Sequence, residues 1–269
     1  MGPVPNAQYG ARHVETKLIK VAVADGIAVV TMDHPPVNAQ NAEFNVEMAW
    51  VFDSLSDRRD VRVVVLTGAG KVFSAGADLK ARPDKSKAGE RWQHNRRARE
   101  SYHAIRECTK PVIAAINGAA LGAGLAVAAS CDILFAAEEA VFGLPEIDVG
   151  LLGGGKHTQR LFSHSTRRRM MLTGYRVSGP ELYRLGIVEA CVPRSELMDR
   201  AMAVAREIAA KSPAAIRLAK RTLNTIEDMS LRDGYRYEQN MTTELGDHAD
   251  SAEAQAAFRE KRKPNFQGG

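Results

Sequence analysis

Val112-Ile113-Ala114-Ala115-Ile116-Asn117-Gly118-Ala119-Ala120-Leu121-Gly122-Ala123-Gly124-Leu125-Ala126-Val127-Ala128-Ala129-Ser130 runs through the middle of the chain without a charged residue. It is about as long as a membrane span needs, and Gly118 and Gly122 have the spacing of small-residue contacts between lipid-embedded helices. Against that reading, Asn117–Gly118 is a turn signal, and the strand-like Val112–Ile113 half differs in character from the small-residue half that follows. The stretch therefore reads as a buried strand, a turn and a buried helix, with no membrane partner. Its glycines also fail the dinucleotide fingerprint, because Gly122-Ala123-Gly124 is followed by Val127 where the third glycine belongs. A nicotinamide cofactor is not indicated.

Outward from this segment the pattern repeats. Residues 14–23 and 27–32 are apolar runs around Asp25–Gly26 and read as a hairpin, which His34-Pro35-Pro36 ends. Phe44, Met48, Val51, Phe52 and Leu55 give residues 42–55 a helical period, and the β-branched run 61–67 reads as a strand after it. A loop over 68–78 and a charged helical stretch over 85–107 lead into the strand at 112–116; a helix over 122–130 and a strand over 133–136 complete a β/α alternation. Beyond about residue 156 the chain reads as almost entirely helical, with helices expected at 195–210, 213–226, 231–245 and 251–261. The expected division is a flexible N-terminus over 1–12, an α/β core over 13–195 and a helical C-terminal region over 196–269.

With 269 residues, 45% hydrophobic and 26% charged, the chain can bury a sizeable core and is not a disordered sequence. Cys108, Cys131 and Cys191 are odd in number and form no CxxC pair, so neither a disulfide framework nor a zinc site is suggested. The histidines have no metal-ligand spacing, and no metal is expected. The opening residues do not have the pattern of a secretion signal, which makes the cytoplasm the default location. A net charge of +5 points to an anionic partner: nucleic acid, an acidic lipid surface or a phosphorylated small molecule. Basic clusters at Arg96, Arg97 and Arg99, at Arg167–Arg168–Arg169 and at Lys261–Arg262–Lys263 motivate a nucleic-acid-binding alternative. Aromatics, at 6%, do not interleave with those clusters as stacking platforms would, so no nucleic acid is expected.

Two glycine-containing loops each follow a strand and run toward a helix: Phe73-Ser74-Ala75-Gly76-Ala77-Asp78-Leu79 and Asn117-Gly118-Ala119-Ala120-Leu121-Gly122-Ala123-Gly124. Small side chains let a ligand approach the backbone. A helix starting at Gly122 or Ala123 presents unsatisfied N–H groups to an oxygen that gains negative charge, which is half of an oxyanion hole.

These loops, in order and wording, resemble the crotonase, or enoyl-CoA hydratase/isomerase, superfamily. The resemblance runs through His34-Pro35-Pro36-Val37-Asn38-Ala39, Leu66-Thr67-Gly68-Ala69-Gly70 with Phe73 to Lys80, Pro111 to Gly124 with Cys131-Asp132-Ile133, Phe142-Gly143-Leu144-Pro145-Glu146, and Thr158-Gln159-Arg160-Leu161. The closing Phe258-Arg259-Glu260-Lys261-Arg262-Lys263-Pro264 also fits. It implies a β-β-α superhelical (spiral) core with a C-terminal helical region that packs trimers, often paired into hexamers. It also implies coenzyme A thioesters as substrates, with no cofactor beyond the coenzyme A moiety itself. By position, the oxyanion-hole donors would be the N–H groups of Ala77 and Ala123, each such donor being worth about 3–4 kcal/mol of barrier. Val37, Ala39, Ala75, Asp78, Leu79 and Lys80 would line the coenzyme A, Lys80 as a phosphate contact, and Lys261 would reach the nucleotide of a neighbouring subunit.

The chain also departs from the family pattern. Hydratases place one glutamate on the helix after the second oxyanion loop and another in the Phe-Gly-x-Pro-Glu segment; here the second is Glu146, whereas the first position is Ala126. Hydration needs a water deprotonated while a proton is delivered at Cα, work that two carboxylates share and one does with difficulty. Moving a double bond between the 3-enoyl and 2-enoyl positions needs only one base, so isomerisation by Glu146 is the favoured reaction. The alternatives are a hydratase with another group in place of the missing glutamate, or another crotonase reaction such as hydrolysis, decarboxylation or dehalogenation. Glu146 is expected to be partly desolvated, with a raised pKa. Lys156 and His157 stand where the family usually has small residues, and either could face the acyl pocket; Asp148 reads as structural.

Overall fold

The computed structural model describes residues 16–84 and 86–266. The proposed N-terminal segment 1–12, the first residues of the opening strand and Lys85 lie outside the described residues.

The chain begins with an antiparallel pair, β1 (Ile19–Ala24) and β2 (Ile27–Met32), joined at Asp25–Gly26. Helix α1 (Ala42–Asp57) follows, its N-terminus capped by Asn41, whose side chain accepts from Phe44 N at 2.8 Å. Its apolar stripe of Phe44, Met48, Val51, Phe52 and Leu55 is fully buried, as the helical spacing requires. Truncating either phenylalanine to alanine would cost about 3–5 kcal/mol. Then come β3 (Val63–Gly68), α2 (Glu90–Glu107), β4 (Val112–Ile116), β5 (Ala119–Leu121), α3 (Ala123–Ala129), β6 (Ile133–Ala137) and β7 (Val141–Gly143). The charged helix starts at Glu90, later than the 85–107 expected from composition. The uncharged segment around Asn117 is a strand, a turn, a second short strand (β5) that the expected strand-turn-helix reading did not include, and a short helix; no helix among the described residues is long and apolar enough to cross a membrane.

The main sheet has the order β1-β2-β3-β4-β6-β9, parallel from β2 onward, where β9 is Ala190–Val192. Strands β3 and β4 read as almost unbroken apolar runs because both of their faces are covered. A second, smaller layer has the order β5-β7-β8, with β8 at Arg176–Ser178. Isolated bridges between Gln40 and Ala77, and between Ser74 and Ala120, continue that layer past β5. Each turn of the chain thus lays one strand in the main sheet and a shorter extended piece in the second layer before the next helix. The second-layer pieces are residues near 40 after β2, residues 74–77 after β3, β5 after β4 and β7 after β6. That is the β-β-α spiral.

Short helices α4 (Gly155–Thr158), α5 (His164–Thr173) and α6 (Gly179–Arg184) precede β9, and α7 (Arg194–Ala209), α8 (Pro213–Ile226), α9 (Leu231–Gly246) and α10 (Ala249–Glu260) follow it. One expectation needs correcting. The region after residue 156 is not almost wholly helical, since β8 and β9 lie within it; three-residue strands are too short to show a period. Helix α7, grouped by sequence with the C-terminal helices, buries Leu197, Ala201 and Ala205 against Val63, Val65 and Ile113 on one face of the main sheet. Helix α8 is tied to the core by Lys220 Nζ, which donates to Asp132 Oδ2 at 2.8 Å and to Lys110 O at 3.0 Å.

Candidate active site

The two glycine loops meet in the second layer. Ala75 N donates to Val37 O at 3.0 Å, Gln40 N to Gly76 O at 2.8 Å and Asp78 N to Gln40 O at 3.0 Å, so residues 37–40 lie alongside 75–78. On the other side, Ser74 N donates to Ala119 O and Leu121 N to Ser74 O, both at 3.0 Å. Gly76 has φ +96°, and a Cβ there would stand 2.6 Å from Leu121 O and 3.3 Å from Ala123 N. A glycine is required for this approach, which brings the turn carrying Ala77 against the first residue of α3. The N–H groups of Ala77 and Ala123 have no acceptor among the described residues; Ala123, at the first position of a helix, has no intrahelical one to find.

Ala77, Ala123, Ala126 and Glu146 line one cavity of ≈ 420 Å³. Glu146 rides a 3₁₀ turn, Pro145–Val149, that leaves β7 with proline at its first position. Its carboxylate lies over the second glycine loop: a Cβ on Gly122 would be 2.3 Å from Oε1. Its Oε2 is buried and has no hydrogen-bond partner among the described residues. Burial raises the Glu146 pKa above the usual carboxylate value, and a hydrogen bond from its own backbone only partly offsets this. Among the described residues Glu146 is the only carboxylate lining the cavity, and the methyl group of Ala126 also lines it. A half-buried carboxylate with one buried, unsatisfied oxygen, beside carbon-sized space and spare amides, is equipped to move a proton to or from a bound carbon acid.

The first loop is held from behind by a polar chain that sequence reasoning did not find. Tyr102 of α2 lines the cavity and donates to Gln40 Oε1 at 3.2 Å; Gln40 Nε2 donates to Ser74 Oγ at 3.2 Å. Ser74 Oγ donates to Asn38 O at 2.7 Å and accepts from Gly76 N at 3.3 Å. Gln40, Ser74 and Asn38 are all buried, so each bond replaces a lost water contact. Burial, and next the Glu146 charge, push the Tyr102 pKa up, keeping the phenol protonated. The local sequence gives no signal for this, because Tyr102 stands on a helix of charged residues and Gln40 beside a helix cap.

Of the two unexpected residues at α4, His157 lines the cavity and packs edge-on against Tyr102, ring centroids 5.2 Å apart. Burial, then the nearby charges of His103, Arg160 and Arg106, lower its pKa. Lys156 is exposed, 3.6 Å from Asp228, and lies outside the cavity. Asp148 also lies outside it, against Gly174 at the end of α5. Among the residues expected to hold coenzyme A, Val37, Ala39 and Ala75 sit in the knitted loops, Asp78 Oδ1 accepts from Lys80 N at 2.9 Å, and Leu79 and Lys80 are exposed. Lys261 ends α10 with φ +53° and is exposed, away from the other site residues along the chain and outside the cavity.

Comparison with known proteins bears on this arrangement. A family model described as enoyl-CoA hydratase/isomerase matches residues 22–269. The chain is 36% identical over 260 residues, 93% of this chain and 98% of the relative, to a probable enoyl-CoA hydratase of Bacillus subtilis. It is also 36% identical over 240 residues, 89% and 93% of the two chains, to a (7aS)-7a-methyl-1,5-dioxo-2,3,5,6,7,7a-hexahydro-1H-indene-carboxyl-CoA hydrolase of Rhodococcus jostii. The structure of an enoyl-CoA hydratase from Bacillus anthracis superposes with a TM-score of 0.88 at 30% identity, covering 94% of this chain and 100% of that one. Pseudomonas aeruginosa DspI superposes with a TM-score of 0.89 at 32% identity over 96% and 100%.

Proposed function

The chain belongs to the enoyl-CoA hydratase/isomerase family, and from that premise we propose that it is a one-carboxylate enzyme that moves the double bond of an enoyl-CoA. The amides of Ala77 and Ala123 hold the thioester oxygen as it becomes an enolate, each contributing about 3–4 kcal/mol to lowering the barrier. Glu146 takes a proton at C2 of a 3-enoyl thioester and returns it at C4. The pair of electrons shifts through the dienolate, and the double bond ends between C2 and C3. The carrying observation is that Glu146 is the only carboxylate lining the cavity among the described residues, while Ala126 supplies a methyl group. Its raised pKa suits a group that must both accept and release a proton. Residues 37–39 and 75–80 hold the coenzyme A, with Lys80 as a phosphate contact and Lys261 reaching the nucleotide bound to a neighbouring subunit. The same reading includes a trimer, or two stacked trimers, closed through the C-terminal helices, where Leu223, Leu231 and Phe258 stand exposed; sedimentation equilibrium tests it.

One observation favours a second reading. A relative at 36% identity is named for hydrolysis of a bicyclic dioxo carboxyl-CoA, and a single carboxylate can equally activate a water. Product mass separates the cases. Incubation with a 3-enoyl-CoA should give a 2-enoyl-CoA of unchanged mass; a product heavier by one water, or cleaved, would replace isomerisation by hydration or hydrolysis.

A further inference from the structure

We propose that Arg82, Arg91, His94 and Asn95 form a subsite for an anionic group, a carboxylate carried by the acyl part of the substrate. The inference rests on the reading of the cavity as a thioester site and adds a substrate class to it. All four residues line the same cavity as Glu146. On α2, Arg91, His94, Asn95, Ala98 and Tyr102 recur at helical spacing, so one stripe of that helix forms a wall. Tyr102 is at the end where the Glu146 charge is felt. At 1.5 Å per residue, Arg91 stands roughly 16 Å further along the helix axis. His94 and Asn95, eight and seven residues from Tyr102, stand about 10–12 Å along the same axis. A six- to eight-carbon chain or a fused ring pair fills such a span.

The arginines at this end have no carboxylate partner among the described residues. Neither Arg82 nor Arg91, both exposed in the chain, forms an ion pair among the described residues. The nearest carboxylates in sequence are engaged elsewhere: Glu90 with Lys87 at 3.5 Å and with Asp84 N at 2.8 Å, and Asp84 with Ser86 N at 2.9 Å. His94 has its pKa lowered by burial and then by Arg82 and Arg97, which marks the spot as electropositive. A fatty-acyl tail would gain nothing from two guanidinium groups, an imidazole and an amide, whereas a carboxylate would accept from all of them. The alternative source of negative charge is the phosphates of coenzyme A. Val37, Ala39 and Lys80, the segments read as holding that moiety, do not line this cavity, which favours the acyl side.

Calorimetric titration of the full chain with the mono-thioester of octanedioic acid, octanoyl-CoA and free coenzyme A tests this. Wild-type protein should bind the carboxylated thioester about 10- to 100-fold more tightly than octanoyl-CoA. Arg91→Met, or Arg82→Met if the first is unstable, should erase that preference and leave octanoyl-CoA and free coenzyme A bound as before. Equal binding of the two thioesters by wild type, or a matching loss for free coenzyme A in the variants, overturns the proposal; the latter result assigns the arginines to the phosphates. The preference is read from binding of these saturated thioesters and turnover separately on a 3-enoyl-CoA, so turnover of the enoyl-CoA without the binding preference rejects the subsite alone, and the preference without enoyl-CoA turnover rejects the isomerase reading alone.

Discussion

Gly122→Ala should disable the site while leaving the protein folded. The new Cβ would meet Glu146 Oε1 at 2.3 Å, where ordinary contact begins at 3.4 Å. The side chain of Glu146 is flexible and Gly122 is held by the turn into α3, so the carboxylate is what moves, by about 1 Å. A misplacement of that size costs on the order of 10²-fold in rate. Residue 122 also has φ +53° and ψ −116°, a conformation that alanine pays for with about 1–3 kcal/mol. For a chain of this size that lowers Tm by roughly 2–12 °C. Gly186→Ala is the control: φ is +69° and no atom lies within 4 Å of the added Cβ, so it brings backbone strain without touching Glu146. The assay is exchange of the acyl-CoA Cα proton into deuterated water, with thermal unfolding measured on the same samples. Gly122→Ala should lose about 10²-fold in exchange, and Gly186→Ala should stay within about threefold of wild type. Wild-type exchange in Gly122→Ala would refute the placement of Glu146, and equal losses in both variants would show that backbone strain alone accounts for the effect.

Glu146→Gln should lower turnover by about 10²- to 10⁴-fold without unfolding the chain. Because burial raises the folded-state pKa of Glu146, its stabilising protonated form is lost as pH rises through that pKa; glutamine has no such loss. The variant's Tm should therefore match wild type near pH 4 and exceed it near pH 7, and a growing deficit with pH would contradict that sign. The pH profile of kcat/KM should fall on its acid side with a midpoint above the 4.5 of an ordinary glutamate, and this acid limb should disappear from the residual rate of Glu146→Gln. Ser74→Ala removes the acceptor for both Gln40 Nε2 and Gly76 N; chemical denaturation should show a loss of about 1–3 kcal/mol, and kcat should fall more than KM changes.

The parts of the fold that sequence made legible are those with long patterns. The stripe from Phe44 to Leu55, the buried runs of β3 and β4, and the Asn117–Gly118 turn all carry enough residues to show a period or a break. The three-residue strands β5, β7, β8 and β9 do not, and their pairing depends on partners distant in the chain. At the site, the resemblance led to Ala77, Ala123 and Glu146, which line one cavity. Tyr102, Gln40 and the arginine end of α2 were not legible, because a polar residue on a charged helix looks the same whether it faces solvent or a cavity. Only the packing of α2 against α1, with Tyr102 bonded to Gln40, separates the two. His157 shows the opposite case: its residue type was out of place for a helix start, and the structure puts it on the cavity wall.

The most direct test is a crystal structure with a non-reactive acyl-CoA analogue that keeps the carbonyl oxygen. That oxygen should lie about 2.7–3.1 Å from both Ala77 N and Ala123 N, with a Glu146 oxygen facing the carbons next to the carbonyl. A carbonyl held by neither amide, or a Glu146 turned out of the cavity, would contradict the account.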